Sequence, residues 1–589
     1  MRGGAGGDGE GLGGLAPKRP HVAAVGGGRQ PMSASQRALQ QQRPFKEMAS
    51  ASAPNLQRKE IKYDRQLRLW GDRGQRRLEN CKVVVLGAGA LGAEVLKNLV
   101  LPGIGAFLLI DGEKVTAADC GSNFFLTDRH MGQDRAEAVC ELLQEMNPEV
   151  RGSFLVESTS QLRADTDLSM LDGADVVVGA NLTENAASVV ADYLWTRDVP
   201  FIHSVVYGLL GYFRNSFRER CVVESHPDTP FPDLRVERPF PALRQWADSV
   251  DLESLDHQRH SHTPYVLLLL KALHKWRVDN ADDKLFPSTY KQKREIKSVL
   301  LAMRKPDEKG LLDEENFAEA IENLNITFRK TEVPPHIMEI VRSPECVSVG
   351  KESSNFWLLC AALSKFISAT GTLPLSGALP DMTSDSASYV KLQGIYRDRA
   401  KADAEAVHEA LVEVLQSVDL PLERVSREEV ERFCKNAASL RLLRGSSLTD
   451  ELAGVDCARL REAINGSDDM IWWYVLLRAA DKFFVEKRRY PGVPDSIPLE
   501  LEEMDVLERA KALCRDSWRL EAPVELTPER RQQARELCRY GGAELHCTAA
   551  LLGGMLGQEV IKMVTNQYVP VHNTLLYDGH TGNAAVFRL

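Results

Sequence analysis

Apolar residues fall along this chain in two rhythms, and the change between them divides it. From residue 61 to about 221, short solid apolar runs alternate with stretches at helical spacing. The runs at Lys82–Leu86, Ala106–Ile110, 153–156, 175–179 and 201–206 have the length of buried strands. Helical spacing follows the first glycine cluster to about Leu101 and recurs at Arg135–Met146 and 184–196. Strand and helix in strict alternation predict a doubly wound, Rossmann-like parallel sheet. From about 222 to 520, strand-like runs are rare and helical periods dominate. Thr263-Pro264 opens a helix over 265–276, and another is expected over 403–417. Residues 541–565 then read as a helix rich in small residues, and 573–577 and 584–589 as strands returning to the sheet. The expected division is a tail at 1–56, a first α/β segment at 57–221, a large helical insertion at 222–520 and a return segment at 521–589.

Composition narrows the functional classes. The 589 residues carry a formal charge of −10, which argues against nucleic acid as the main partner. Eleven cysteines are scattered with no C-x-x-C pair, which excludes a zinc knuckle of that spacing. They fit a reducing compartment, cytoplasmic or nuclear, better than a disulfide scaffold. The longest apolar region, 83–110, is broken by Glu94, Lys97, two glycine turns and Pro102, so no membrane span is expected. Residues 1–54 are rich in Gly, Gln, Arg and Ala and poor in large apolar residues, which predicts disorder. Their glycine clusters and missing apolar stripe do not suit a transit peptide. Met48, just before the first structured motif, is expected to serve as a usable start site.

The first chemistry-bearing motif is Gly87-Ala88-Gly89-Ala90-Leu91-Gly92. It sits between the first strand and its helix, with Asp111 at the end of the second strand. Glycine allows the tight turn, and a helix N-terminus offers free N–H groups to a phosphate. With an acid placed for a ribose hydroxyl, this is the dinucleotide-binding fingerprint. A lone G-x-G-x-x-G is weak evidence of chemistry, because many folds share it. A nicotinamide-dependent dehydrogenase and a turn retained only for packing both remain open on these residues.

Further motifs change the balance. Lys62-Tyr63-Asp64-Arg65-Gln66-Leu67 precedes the first strand, and Asp111-Gly112-Glu113, Asn123-Phe124-Phe125-Leu126 and Gly132-Gln133-Asp134-Arg135-Ala136 follow the second. Leu99-Val100-Leu101-Pro102-Gly103-Ile104-Gly105, Glu224-Ser225-His226-Pro227-Asp228, Ser261-His262-Thr263-Pro264, Pro380-Asp381-Met382, Arg539-Tyr540-Gly541 and Gln558-Glu559-Val560 complete the set. With these the chain, from about Lys59 onward, resembles the activating enzymes of ubiquitin-like modifiers. Within them it is similar to the regulatory, cysteine-lacking subunits of the heterodimeric neddylation-activating enzymes.

The resemblance also shows what has been lost. An active adenylation half carries D-x-D, then an Arg, then a Lys in G-x-x-K, and a later Asp-Asn pair. These hold magnesium and offset phosphate charge while a modifier's carboxylate attacks ATP. Here the second acid is Glu113, the Arg position reads Ser122, the Lys is Arg135, and the later strand ends Ala180-Asn181-Leu182. The resemblance therefore implies a degenerate pseudo-site at Gly87, Gly89, Gly92 and Asp111, with no metal and no cofactor bound productively. ATP and Mg would sit at the partner's site. The family's nucleophilic cysteine is missing from Glu224-Ser225-His226-Pro227-Asp228-Thr229-Pro230. Cys221 and Cys547 have no evident activating base.

Two positive roles are expected. The family's Y-x-R-Q arginine reaches the triphosphate in the other half; it maps to Arg65, whose guanidinium can pair two phosphate oxygens. The stretch with Asp381, Met382, Tyr389, Leu392, Ile395 and Tyr396 has two readings, core packing or contact with the catalytic subunit. His257, His260 and His262 have loose ligand spacing but suit helix-start packing better. The implied partners are the catalytic subunit of a neddylation-activating heterodimer and the Nedd ubiquitin-like modifier. The rivals are a small sumoylation-activating subunit, against which the large insertion counts, and a self-sufficient dehydrogenase or adenylating enzyme.

Overall fold

The first strand is buried on both faces, and that decides the architecture around it. β1 (Lys82–Leu86) reads KVVVL, with Val83 to Leu86 fully buried, as parallel strands covered by helices must be. The structure is a computed structural model and describes residues 60–228, 233–455, 457–466, 469–494 and 496–589. The tail at 1–56, Met48 and the Thr229-Pro230 step lie outside the described residues. Tyr63–Leu589 form one unit of mutual contacts.

After α1 (Asp64–Asn80) and β1, the chain runs through α2 (Ala90–Val100), β2 (Ala106–Ile110), α3 (Ala117–Ser122), α4 (Arg135–Met146), β3 (Arg151–Leu155) and β4 (Val176–Ala180). Next come α5 (Glu184–Trp195), β5 (Phe201–Tyr207) and β6 (Leu210–Ser216). β2 pairs parallel with β1 in the register Lys82↔Ala106 to Leu86↔Ile110, and β4 lies on the other side, with Val83 opposite Val176. Strand order therefore reverses at β1, which opens a crevice at the carboxyl ends of β1 and β4. β9 (Thr574–Asp578) pairs antiparallel with β6 and β10 (Asn583–Phe587) with β9, closing an eight-stranded mixed sheet. The last strands return to the sheet, as the sequence predicts.

α12 (His546–Thr565) lies against α2. A Cβ on Gly553 would stand 2.6 Å from Glu94 Cβ, and one on Gly557 would stand 2.9 Å from Asn98 Cβ. The small residues of this helix are thus what lets two helix backbones approach. The contact buries Val95, Leu99, Leu552, Leu556 and Val560 completely. At about 1.5–3 kcal/mol for each side chain, this ties the last helix firmly to the nucleotide-loop helix.

Two short strands form the neck of the helical region. β7 (Glu219–Val222) pairs antiparallel with β8 (Arg441–Arg444), so the chain leaves and returns side by side. Between them lie α6 (Tyr265–Asp279), α7 (Asn355–Thr370) and α8 (Ser386–Ser417), with two apolar cores of their own. The helix expected over 403–417 is the second half of α8, a continuous helix of 32 residues.

The expected insertion boundary at 520 does not describe the packing. Helices after β8 lie on the sheet: Leu448 and Leu452 pack with β4 and α5, and α9 (Met470–Lys487), α10 (Leu499–Ala512) and α11 (Pro528–Tyr540) pack with Tyr207, Leu210, Tyr212 and Leu576. A helix covering a sheet and a helix inside an insertion share one periodicity, so the sequence pattern could not separate them. A buried charge network fastens this segment. Arg214 Nε lies 2.9 Å from Glu451, and Arg478 reaches Glu451 at 3.1 Å and Glu184 at 2.8 Å. Among the described residues, no helix is long and apolar enough to cross a membrane.

Candidate functional site

The glycine turn and Asp111 meet at the strand-order reversal. Gly87 has φ 104°, and a Cβ there would strike the Ala180 carbonyl; a Cβ on Gly92 would strike the Gly87 carbonyl. Gly89 caps α2, whose first N–H groups face the crevice. Asp111 is 1% exposed and ties the turn together. Its Oδ2 accepts from Ala88 N at 2.6 Å, and its Oδ1 accepts from Glu113 N at 2.7 Å.

The rest of the cradle is filled by the chain itself. Arg135, at the start of α4, donates from Nε and Nη2 to Asp111 Oδ2 at 3.1 and 2.8 Å, and from Nη1 to Asp119 Oδ1 at 2.8 Å. Burial lowers and the two carboxylates raise the Arg135 pKa, with a net upward shift. Burial pushes the Asp119 carboxyl up, but the Thr116 hydroxyl and Arg135 outweigh it and hold the acid below its ordinary value. Glu544, just ahead of α12, takes the helix N-terminus: Leu91 N donates to its Oε1 at 2.7 Å. Burial raises the Glu544 pKa, opposed by the Leu91 and Ala90 N–H groups and by Arg135.

Of the positions that hold metal and phosphate in the family pattern, Ser122 and Asn181 are engaged elsewhere in the chain and Glu113 faces outward. Glu113 is exposed, Ser122 donates to the Ala118 carbonyl, and Asn181, at φ 55°, accepts from Val206 N at 2.8 Å. Every Asp111 oxygen already has a donor. Among the described residues, no group of three or more His, Cys, Asp or Glu side chains could hold a metal. A magnesium triphosphate does not fit these residues. Asp111 serves the loop and Arg135.

Arg65 has the opposite character. α1 kinks at Gly71 (φ 66°, ψ 176°), and its second half is fixed by Gln75 donating to the Pro102 carbonyl and Arg77 to the Thr565 carbonyl. Tyr63 is buried ahead of the helix. Ahead of the kink, Gln567 donates to the Trp70 carbonyl and Tyr568 to the Leu69 carbonyl, and on this anchored first half the Arg65 side chain is 92% exposed, with Asp64 at 3.9 Å.

The sequence profile of the ThiF family matches residues 63–589. Over 537 residues the chain is 40% identical to the NEDD8-activating enzyme E1 regulatory subunit of Danio rerio, covering 90% of this chain and 99% of that one. The Xenopus laevis subunit of the same name gives 40% identity with the same two coverages. The NEDD8-activating enzyme E1 regulatory subunit AXR1 of Arabidopsis thaliana is 32% identical, covering 91% and 97%. The chain belongs to the NEDD8-activating enzyme E1 regulatory subunits. ThiF-family adenylation domains work with ATP and magnesium in general.

As a member of the E1 regulatory subunits, the chain shows how the remaining expected residues are used. Leu392 and Tyr396 are fully buried in its own core, and the Tyr396 hydroxyl donates to the Leu234 carbonyl. They cannot be partner anchors. Met382 and Ile395 pack at the edge of the same core, Tyr389 is half-buried, and Asp381 is exposed. The core reading therefore holds for the apolar face of this stretch.

Cys221 is half-buried with its thiol pushed up by burial and by Glu219, the reverse of an activated nucleophile. Cys547 is exposed, its sulfur 3.9 Å from the Thr548 hydroxyl. His260 is buried against Glu314, and His262 Nδ1 faces the Gln258 carbonyl, so the histidines structure a helix start. Sequence reasoning missed Asp119, Glu544 and the Arg214–Glu451–Arg478 network. Thr116-x-x-Asp119, which forms a capping box, was the one local signal available.

Proposed function

We propose that this chain is the non-catalytic half of a heterodimeric NEDD8-activating enzyme. ATP and magnesium bind in the catalytic subunit, which adenylates the Nedd ubiquitin-like modifier and takes it as a thioester. This chain completes that site by placing Arg65 against the partner's triphosphate. The observation that carries the reading is the contrast between Arg65, exposed on an anchored helix, and a cradle whose donors and acids are spent internally. The relatives reported above are all named for NEDD8, so a sumoylation subunit is not favoured.

We divide the chain into a pseudo-adenylation layer built from both ends and a helical insert carried on the β7–β8 neck. Partner contact on the insert falls to the exposed side of the 381–396 stretch, around Asp381 and Tyr389. The scattered free cysteines suit a cytoplasmic and nuclear setting. The test is Arg65→Ala in the reconstituted heterodimer, read by ATP–pyrophosphate exchange. A charge-assisted bidentate contact contributes about 1.5–3 kcal/mol, so exchange should fall about 10- to 100-fold with assembly intact. Arginine fingers in other phosphoryl-transfer enzymes give about 10³ to 10⁵ in rate, the upper bound. Unchanged exchange would reject the role.

A further inference from the structure

The ThiF cradle of this chain is occupied, and its occupants come from the chain. Glu544 is a carboxylate on the N–H groups that open α2, the donors a phosphate takes in a glycine-loop site. Arg135 is a cation held between two carboxylates, Asp111 and Asp119. Burial raises the Glu544 pKa on balance, and the Leu91 and Ala90 N–H groups and Arg135 oppose that rise. We propose that Glu544 and Arg135 lock the cradle shut as internal substitutes for a nucleoside triphosphate and its cation. This half of the enzyme then keeps its shape without nucleotide, and Glu544 is the group that excludes one.

Two observations and one electrostatic effect converge on Glu544. Its carboxylate occupies the mouth of the turn, since a Cβ on Gly89 would stand 2.5 Å from its Oε2. Gly89 is thus the residue type that leaves room for this side chain. Glu544 stands one residue before the Leu545 N-cap of α12, the helix that packs on α2, so closing the cradle also joins the two helices at their ends. A phosphate approaching the Leu91 N–H would meet the Glu544 charge at the acceptor position itself, where like charges repel.

Arg135 explains why the exchange from the family's lysine matters. A single ammonium is a point donor, whereas the forked guanidinium serves Asp111 with two nitrogens and Asp119 with a third. Asp111 is thereby held in a structural role. This inference concerns the same cradle as the proposed function but needs no catalytic partner for its test.

The experiment uses the full chain alone, with ATP as the probe, followed by calorimetric titration and by thermal melting. Wild type should bind ATP too weakly to titrate, and millimolar ATP should leave its melting temperature unchanged, because a ligand stabilises only what it binds. Glu544→Ala frees the Leu91 and Ala90 N–H groups beside Arg135 and should bind ATP at least ten-fold more tightly than wild type. Glu544→Gln keeps size and packing while removing the charge; it should show a smaller gain and guards against Glu544→Ala failing to fold. Wild type binding ATP as tightly as the variants would overturn the proposal. So would folded variants that gain nothing. Neither result would touch the role of Arg65, which is read on the heterodimer.

Discussion

Replacing Arg135 by Met should open the cradle at a cost that can be worked from its contacts. Arg135 is 19% exposed and holds Asp111, which is 1% exposed, and Asp119, which is 9% exposed. Removing one partner of a buried ion pair costs about 3–5 kcal/mol, because the other charge is left unpaired. Asp111 keeps the Ala88 and Glu113 amides as donors, so the lower end applies, about 3 kcal/mol. A unit of this size is not expected to unfold in one step. The loss is therefore best read locally, by hydrogen exchange at the Ala88 amide, whose acceptor is Asp111. A 3 kcal/mol loss predicts exchange about 100-fold faster there, since each 1.4 kcal/mol is tenfold.

The pH dependence has a definite sign. Asp119 is held below its ordinary pKa in the folded chain, so its contribution is present at neutral pH and is lost as pH falls through that lowered value. The difference between wild type and Arg135→Met should be full at about pH 7 and shrink below about pH 4, the ordinary carboxylate range. Protection at Ala88 unchanged within a factor of two or three would refute the reasoning.

Two other outcomes follow from the same physics. Glu451→Ala removes the carboxylate between Arg214 and Arg478, which are 0% and 3% exposed. It should loosen the 448–487 segment from the sheet by about 3–5 kcal/mol, read as new protease cleavage there, and a loss under about 1 kcal/mol would contradict the network's role. Arg65→Lys should leave the melting temperature alone, as expected for a side chain 92% exposed, while recovering only part of the exchange lost in Arg65→Ala, because an ammonium cannot grip two oxygens in a plane.

Much of the fold was legible because the relevant signals are local. Val83 to Leu86 and the glycine turn lie within ten residues of one another, and the βαβ spacing places Asp111 without reference to the rest of the chain. The changes at Glu113, Ser122 and Arg135 could be read one by one against the family pattern. What could not be read is what replaced the lost ligands. Glu544 meets Leu91 across 453 positions of sequence, and no periodicity reports such a pairing. Leu392 and Tyr396 show the same limit on a smaller scale, for an apolar stripe on α8 looks alike whether it faces its own core or another chain. The neck escaped notice because β7 and β8 are four residues each and join positions 219–222 to 441–444. Beyond it, the periodicity of α9 carried no mark of the sheet it covers.

The most direct measurement places the chemistry on one chain or the other. The full chain, its catalytic partner and the heterodimer are each incubated with magnesium, labelled ATP and tagged modifier, and adenylate and thioester are assigned to chains by mass after quenching. The account predicts a single adenylate per heterodimer, a thioester on the partner only, and no adenylate or thioester from this chain alone. Adenylate formed by this chain without its partner, or tagged modifier bonded to one of its own cysteines, would contradict it.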